Sequence, residues 1–501
     1  MAIDSARIAK NTSFLFIRFL FILGVTFYIS RVLLDKLGVE DFGLYNTVYG
    51  IIGIVSFISG TLSTSTSRFI TFELGRGDED SLKQTFSTAL FSHVILAGII
   101  VFLALTIGLW YVYHVLVVPD ERFTAALIIY LFSIVSTVVS IIQVPFTASI
   151  MAHERMNAYA YIGIFDAVAR LLAAYSITVC SSDKLIVYCL ALLCANLLIF
   201  VLYVSYSKYH FHEIRFKLSC EKHTLIEMLK FSGWNVLANF SNTIIIQGVI
   251  LLFNVFFMPV VVAAQAIGNQ ISNGIAMLVQ NVRSAVTPQI TKLYAEGSGK
   301  LSEKLTLVSA EYIFYLLMLV CFPCILIMPT LLGIWLKEVP DYTVVFARFL
   351  VFQLLLENFN NAYYTPLLAA NKISVNSIIE ALVCVLQFVA LYFLFSSGYG
   401  PIWARYAGII IVVLFSFIEK PFLLWKFLNY DLKTIYGSLA RCILAVVIAL
   451  VLNLIIYKCF PHDGLINSIY VVVLSGISVI IACLCVAGRN IMKVIKSIVR
   501  R

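Results

Sequence analysis

The chain has 501 residues, 61% of them hydrophobic and only 12% charged, with a formal net charge of +9. A soluble domain carries about 25% charged residues. The composition therefore excludes a set of water-soluble domains and leaves no basic soluble domain to hold nucleic acid.

Met1–Ser13 is polar and precedes a full-length apolar run, so no cleavable signal stands out. About fourteen apolar stretches follow: 14–34, 42–63, 86–110, 123–147, 158–179, 185–206, 232–257, 260–282, 307–331, 343–367, 375–396, 402–424, 437–457 and 466–487. Each is near the roughly 20 residues that cross a bilayer core as a helix. Hydrocarbon offers the backbone no water, so repeated crossings must be helical. The expected fold class is an all-α polytopic membrane protein. The connections at 257–260 and 397–401 are very short, and spans 7 and 8 could merge or shift. No segment outside the spans is large enough to hold an active site.

In span 1, Arg18 sits a few residues inside the membrane, as do Arg348 and Arg405 in spans 10 and 12. Snorkelling to headgroups explains each of them. Gly50, Gly53 and Gly60 in span 2 read as close helix packing, and His93 in span 3 as a packing histidine. Asp166 and Arg170, mid-span 5, are four residues apart on one helical face. They form either a self-neutralising pair or an arginine held by Asp166 for an anionic ligand. Span 7 carries Asn235, Asn239 and Asn242. Span 8 carries Gln265, Asn269, Ser272, Asn273, Gln280 and Arg283 within one arc. A stripe of amides cannot face lipid, so it either lines a polar path or joins helices. Cys321 and Cys324 flank Pro323 in an apolar helix. That setting favours packing over thiolate chemistry, and the eleven cysteines give no disulfide framework. Glu357, mid-span 10, shares a face with Gln353, Asn360, Asn361 and Tyr364 and has no sequence neighbour to neutralise it. Proton or sodium coupling and a hydrogen bond across helices are its two readings.

With the N-terminus inside, the inner segments hold most of the basic residues. These include Arg68, Arg76, Lys83, Arg155, Lys208, Arg215, Lys217, Lys222, Lys230, Lys292, Lys300, Lys304, Lys426 and Lys433. The outer loops hold Arg31, Lys36, Arg122, Lys184, Lys337 and Lys458. This asymmetry places both termini in the cytoplasm. The tail 489–501 is a basic amphipathic helix, suited to lie on the lipids of the inner leaflet.

Shifting the chain by 220 residues aligns Arg68–Gly77 with Pro288–Gly297, so that Ile70 meets Ile290 and Thr71 meets Thr291. Pro145 meets Pro366 at nearly the same offset. An even number of spans separates the copies, so they run the same way through the membrane. Parallel repeats of this kind are a transporter pattern. They give an N-terminal six-helix lobe at 1–206, a cytoplasmic connection at 207–231 and a second lobe at 232–425. Extra helices 13 and 14 follow at 437–487, and the tail at 488–501.

The segment Arg31 to Asn46, with Gly38 and Gly43, resembles the first outer turn of bacterial polysaccharide-unit flippases. Gly60 to Gly77 is similar to the end of their second span. Phe231-Ser-Gly-Trp-Asn235 is similar to the start of their seventh span, and Ala264-Gln-Ala-Ile-Gly-Asn-Gln270 to that of their eighth. The likeness in span number and repeat covers the whole chain, but these motifs are shared across the multidrug/oligosaccharidyl-lipid/polysaccharide (MOP) exporter superfamily. The resemblance implies a MATE-like fold in the bacterial inner membrane. It implies movement of an undecaprenyl-diphosphate-linked oligosaccharide to the periplasmic leaflet by alternating access, for lipopolysaccharide O-antigen, capsule or exopolysaccharide. A polysaccharide polymerase is then a candidate partner.

In such a protein Arg18 and Arg170 are the candidate diphosphate contacts, since arginine binds phosphate oxygens bidentately. Asn235, Asn239, Gln265, Asn269, Asn273 and Gln280 are candidates for sugar hydroxyls, and Glu357 and Asp166 for cation coupling. The chain departs from the family in having few mid-membrane arginines. No G-x-x-x-x-G-K-[ST] is present, no His/Glu/Cys cluster offers a metal site, and no cofactor is expected. Cation-coupled multidrug efflux is the alternative. A membrane glycan polymerase fits less well, because the outer loops are short.

Overall fold

The computed structural model describes residues 5–55, 66–67, 69–74, 76, 78–153, 155–179, 183–214, 221, 225–226, 243–370, 372–459 and 465–499. Among these there is no strand. The helices are α1 (Ser5–Val55), α2 (Glu79–His114), α3 (Phe123–Ala152), α4 (Met156–Val179) and α5 (Lys184–His210). Next come α6 (Val249–Phe256), which continues a π-helical turn at Ile244–Gly248, and α7 (Pro259–Ala295). They are followed by α8 (Gly299–Leu326), α9 (Met328–Trp335), α10 (Thr343–Ala369), α11 (Ile373–Ser396) and α12 (Trp403–Leu428). The last two are α13 (Leu432–Cys459) and α14 (Leu465–Val499). Ten described helices are long and apolar enough to cross a membrane, so the chain is a polytopic membrane protein. This is consistent with fourteen spans.

The chain forms two compact units. One is Met1–Ala263 with Cys384–Tyr392; the other is Ala264–Val383 with Phe393–Arg501. The boundary falls inside α7, so α6 packs with the first unit. Its Gln247 amide lies against Gly50 and Gly53, where a Cβ would come within 3.3 and 3.0 Å of it. These glycines act as close-packing positions, as expected. Buried Asn254 accepts from Val117 N at 3.1 Å and donates to Val117 O at 3.2 Å.

The turn between spans 1 and 2 is a bend within α1 at Gly38, whose φ of 81° favours glycine. Arg122 ties this turn to its neighbours. It donates to Asp41 at 2.7 Å and also to Asp183. Asp183 in turn caps α5 by accepting from Leu185 N at 3.0 Å. Spans 7 and 8 stay separate: α6 ends at Phe256 and α7 opens on Pro259, a first-turn position that tolerates proline. At 397–401 the turn rests on Gly398, with φ 85°.

The repeat is visible in the elements. α2 and α8 begin at Glu79 and Gly299, and α3 and α10 at Phe123 and Thr343, each pair 220 residues apart. α4 and α11 begin 217 apart, at Met156 and Ile373. Pro145 and Pro366 each lie inside their helix, near its end. Ile70 and Ile290 are both buried, and Thr71 and Thr291 both donate to the carbonyl four residues back.

Besides the turn that leads into α6, π-helical turns interrupt α2 at Ala104–Gly108 and α12 at Leu414–Glu419. Such a turn frees carbonyls from the ordinary ladder, and in each of these two a tyrosine hydroxyl donates to one of its carbonyls. Tyr130 donates to Ala104 O at 2.8 Å, and Tyr436 to Phe417 O at 3.1 Å. Helices α13 and α14 belong to the second unit. Arg441 pairs with Glu311 of α8, and Asn453 donates to Ser478 at 2.7 Å.

Candidate functional site

In the first unit, Tyr159, Gly163, Asp166 and Arg170 follow one another along α4 at steps of four, three and four, which is a single helical face. Arg18 of α1 lies across the upstream end of this stripe. Its guanidinium carbon is 4.1 Å from the centre of the Tyr159 ring, a cation–π distance. A Cβ on Gly163 would stand 2.1 Å from Arg18 Nε, so the missing side chain is what admits the arginine. Arg18 Nε is buried and makes no hydrogen bond among the described residues.

Further along the stripe, Arg170 Nε donates to Asp166 Oδ1 at 2.9 Å, and another guanidinium nitrogen donates to Asn196 Oδ1 of α5 at 3.0 Å. The Arg170 side chain remains 43% exposed. The face thus holds two guanidinium groups and one carboxylate, a surplus positive charge. Tyr45, Tyr49 and Tyr188 cluster in the same unit, Tyr45 tilted against Tyr49 with centroids at 4.6 Å and edge-on to Tyr188 at 5.4 Å.

In the second unit, Gln265 donates to Asn269 Oδ1 at 2.9 Å, while its own Oε1 is buried and unpartnered among the described residues. Asn273 and Gln280 are exposed. Arg283 donates weakly, at 3.4 Å, to both Gln280 Oε1 and Asn358 Oδ1. Its charge also acts on half-buried Glu357. Glu357 therefore has an electrostatic partner. It comes from α7 and could not be seen from the neighbours of Glu357 in sequence. Asn235, Asn239, Asn242, Gly60 and Arg68 lie outside the described residues, as do the side chains of the tail.

Two arginines correct the snorkelling expectation. Arg405 is only 5% exposed and lies 5.4 Å from the Phe346 ring centre. Arg348 donates to Ile325 O at 2.9 Å, a carbonyl in the last turn of α8 that has lost its helical partner. His93 is buried with Nδ1 2.8 Å from Ala89 O, which is local packing.

The sequence reading missed one cluster altogether. Lys420 of α12 is completely buried, and its ammonium meets Asn376 Oδ1, Glu380 Oε1 at 2.7 Å and Glu419 Oε2 at 3.1 Å. The Tyr364 and Phe415 rings stand 5.9 Å away. Asn376 and Glu380, four apart within an apolar span, were the available signal.

Outside the spans, a cavity of about 530 Å³ is lined by His153, His210, His212, Lys83, Arg155 and Glu213, among others. His153 Nε2 is 2.6 Å from Glu213 Oε1. Burial raises the Glu213 carboxyl, but the His153 hydrogen bond and its own backbone N–H outweigh this and hold it below the ordinary value.

No family model and no curated protein matches the chain. Solved structures match its fold. The lipid II flippase MurJ, in an inward closed conformation, aligns with a TM-score of 0.68 at 12% identity, covering 96% of this chain and 100% of that one. An inward-facing multidrug resistance MATE family transporter of the MOP superfamily gives 0.64 at 14% identity, over 84% and 94%. The MATE multidrug transporter DinF-BH gives 0.63 at 15% identity, over 87% and 97%. The fold is MATE-like, as the sequence led us to expect.

Proposed function

We propose that this chain is a flippase of the bacterial inner membrane. It moves an undecaprenyl-diphosphate-linked oligosaccharide from the cytoplasmic to the periplasmic leaflet by alternating access, for O-antigen, capsule or exopolysaccharide assembly. Its work is transport and not catalysis, with a polysaccharide polymerase as the downstream partner and no nucleic acid. The observation that carries the reading is the cationic stripe on α4. Arg18, with an unpartnered Nε, and Arg170, with a fork oriented by Asp166 and Asn196, share one face with a net positive charge. Guanidinium groups suit a diphosphate, which accepts bidentate hydrogen bonds. A flippase for lipid II among the proteins of the same fold supports it further.

In this reading the amides Gln265, Asn269, Asn273 and Gln280, with Asn235 and Asn239, serve the sugar hydroxyls. Glu357 and Asp166 serve cation coupling, and the connection 207–231 joins lobes 1–206 and 232–425 in the cytoplasm.

The test is glycan display in cells. Arg18→Ala and Arg170→Ala should abolish it with protein level kept, and Arg170→Lys should restore it only partly. Normal display from the double variant Asp166→Ala/Arg170→Ala would reduce the pair to packing and overturn the reading. Multidrug efflux is the second reading, favoured by the MATE transporters of the same fold. It predicts dye efflux that depends on Asp166 while glycan display is untouched.

A further inference from the structure

We propose that the Lys420–Glu380–Glu419 cluster of the second unit is a binding site for a single proton. Lys420 has three N–H donors and spends all three, on Asn376 Oδ1, Glu380 Oε1 and Glu419 Oε2. One ammonium faces two carboxylates. With both ionised, the cluster carries a surplus negative charge at a site where Lys420 is fully buried and the two glutamate side chains are 17% and 9% exposed. An unbalanced buried charge is expensive, and more so inside a membrane.

Geometry also says where the neutralising cation goes. Glu419 Oε1 is buried with no hydrogen-bond partner among the described residues, while its Oε2 takes the ammonium. A proton from water adds to that oxygen, forming one O–H bond and breaking none in the protein, and the cluster becomes neutral. A sodium ion does not fit as well. It would need the same carboxylate oxygens that already hold an ammonium at hydrogen-bond distance, and the two cations would repel. The other described groups facing the cluster are the Tyr364 ring of α10, the Phe415 ring of α12 and the Asn376 amide. None of these supplies a second positive charge.

A role for this proton in driving transport rests on the proposed function; its presence does not. The experiment separates the two by using full-length protein in liposomes without substrate. Infrared difference spectra across a pH titration should show the C=O band of one protonated carboxyl. That band should vanish in Glu419→Gln and in Glu380→Gln, each of which leaves a balanced pair with Lys420, and should persist in Glu357→Gln. Absence of the band from the unaltered protein would overturn the proposal, as would its survival in either cluster variant. So would melting that sodium raises and choline does not, if Glu380→Gln abolished that difference. If glycan display proves independent of the chain while the band behaves as stated, the flippase reading fails and the proton site stands.

Discussion

Each unit places one cation at the start of the same helix of its repeat, and the two are treated in opposite ways. α4 begins at Met156 and α11 at Ile373, so Tyr159 and Gly163 correspond to Asn376 and Glu380. Over the first pair lies Arg18, which has a ring and an empty Cβ position for company and an Nε without a partner among the described residues. Against the second pair lies Lys420, with every donor matched and one carboxylate too many. An inherited position can thus become electropositive or electronegative through what surrounds it. An underpaired arginine is suited to take an anion, and an overpaired lysine to take a proton.

The largest way to break this contrast is Lys420→Met. It strands two buried carboxylates, a loss of about 3–5 kcal/mol for a broken buried pair. The folded yield should collapse, and the neutral triple variant Lys420→Met/Glu380→Gln/Glu419→Gln should recover the melting temperature without recovering gradient dependence. A stable Lys420→Met would show that the ammonium is not what balances the glutamates.

Next comes Gly163→Ala. The new methyl occupies the space of Arg18 Nε, so the arginine must leave Tyr159. Overpacking of this kind costs about 1–3 kcal/mol, and glycan display should fall further than that loss of stability accounts for. Display equal to that of the unaltered chain would mean that Arg18 acts wherever it sits.

Glu357→Gln should weaken gradient-driven transport in liposomes while leaving substrate binding measurable, since Arg283 already offsets part of the Glu357 charge. Unchanged gradient dependence would assign Glu357 to packing.

The smallest effect concerns Glu213. Its folded carboxyl is held below the ordinary value, so the stabilisation from His153 is complete above that ordinary value and fades as pH falls through the folded one. Glu213→Gln should therefore lower the melting temperature slightly at neutral pH and leave it unchanged in acid. An equal loss at both pH values would mean that the hydrogen bond, and not the charge, is at work.

Much of this was legible in advance, for physical reasons. Span length and apolarity show directly, because the bilayer imposes them on every residue in turn. Asp166 and Arg170 show because they are one helical turn apart, and Gly38 because a sharp bend needs its φ. The stacking of Arg18 on α4, the reach of the Arg283 charge to Glu357 and the burial of Arg405 depend on which helices become neighbours, which periodicity does not encode. Lys420 was hidden differently. Glu419-Lys420 near the end of an expected span looks like a self-cancelling dipeptide at the headgroups.

The π-helical turn at Leu414–Glu419 bears on that pair. An ordinary helix turns consecutive residues about 100° apart, given 3.6 residues per turn. A π turn holds one extra residue and resets the phase of everything after it. Deleting a single residue within 414–418 would remove that extra residue and let the segment close as ordinary α-helix with Lys420 still facing Asn376 and Glu380. Closing the turn at constant length would instead swing Lys420 and all that follows by nearly a third of a revolution, away from both. A one-residue deletion is thus absorbed at this point of α12 and at no regular turn of the same helix.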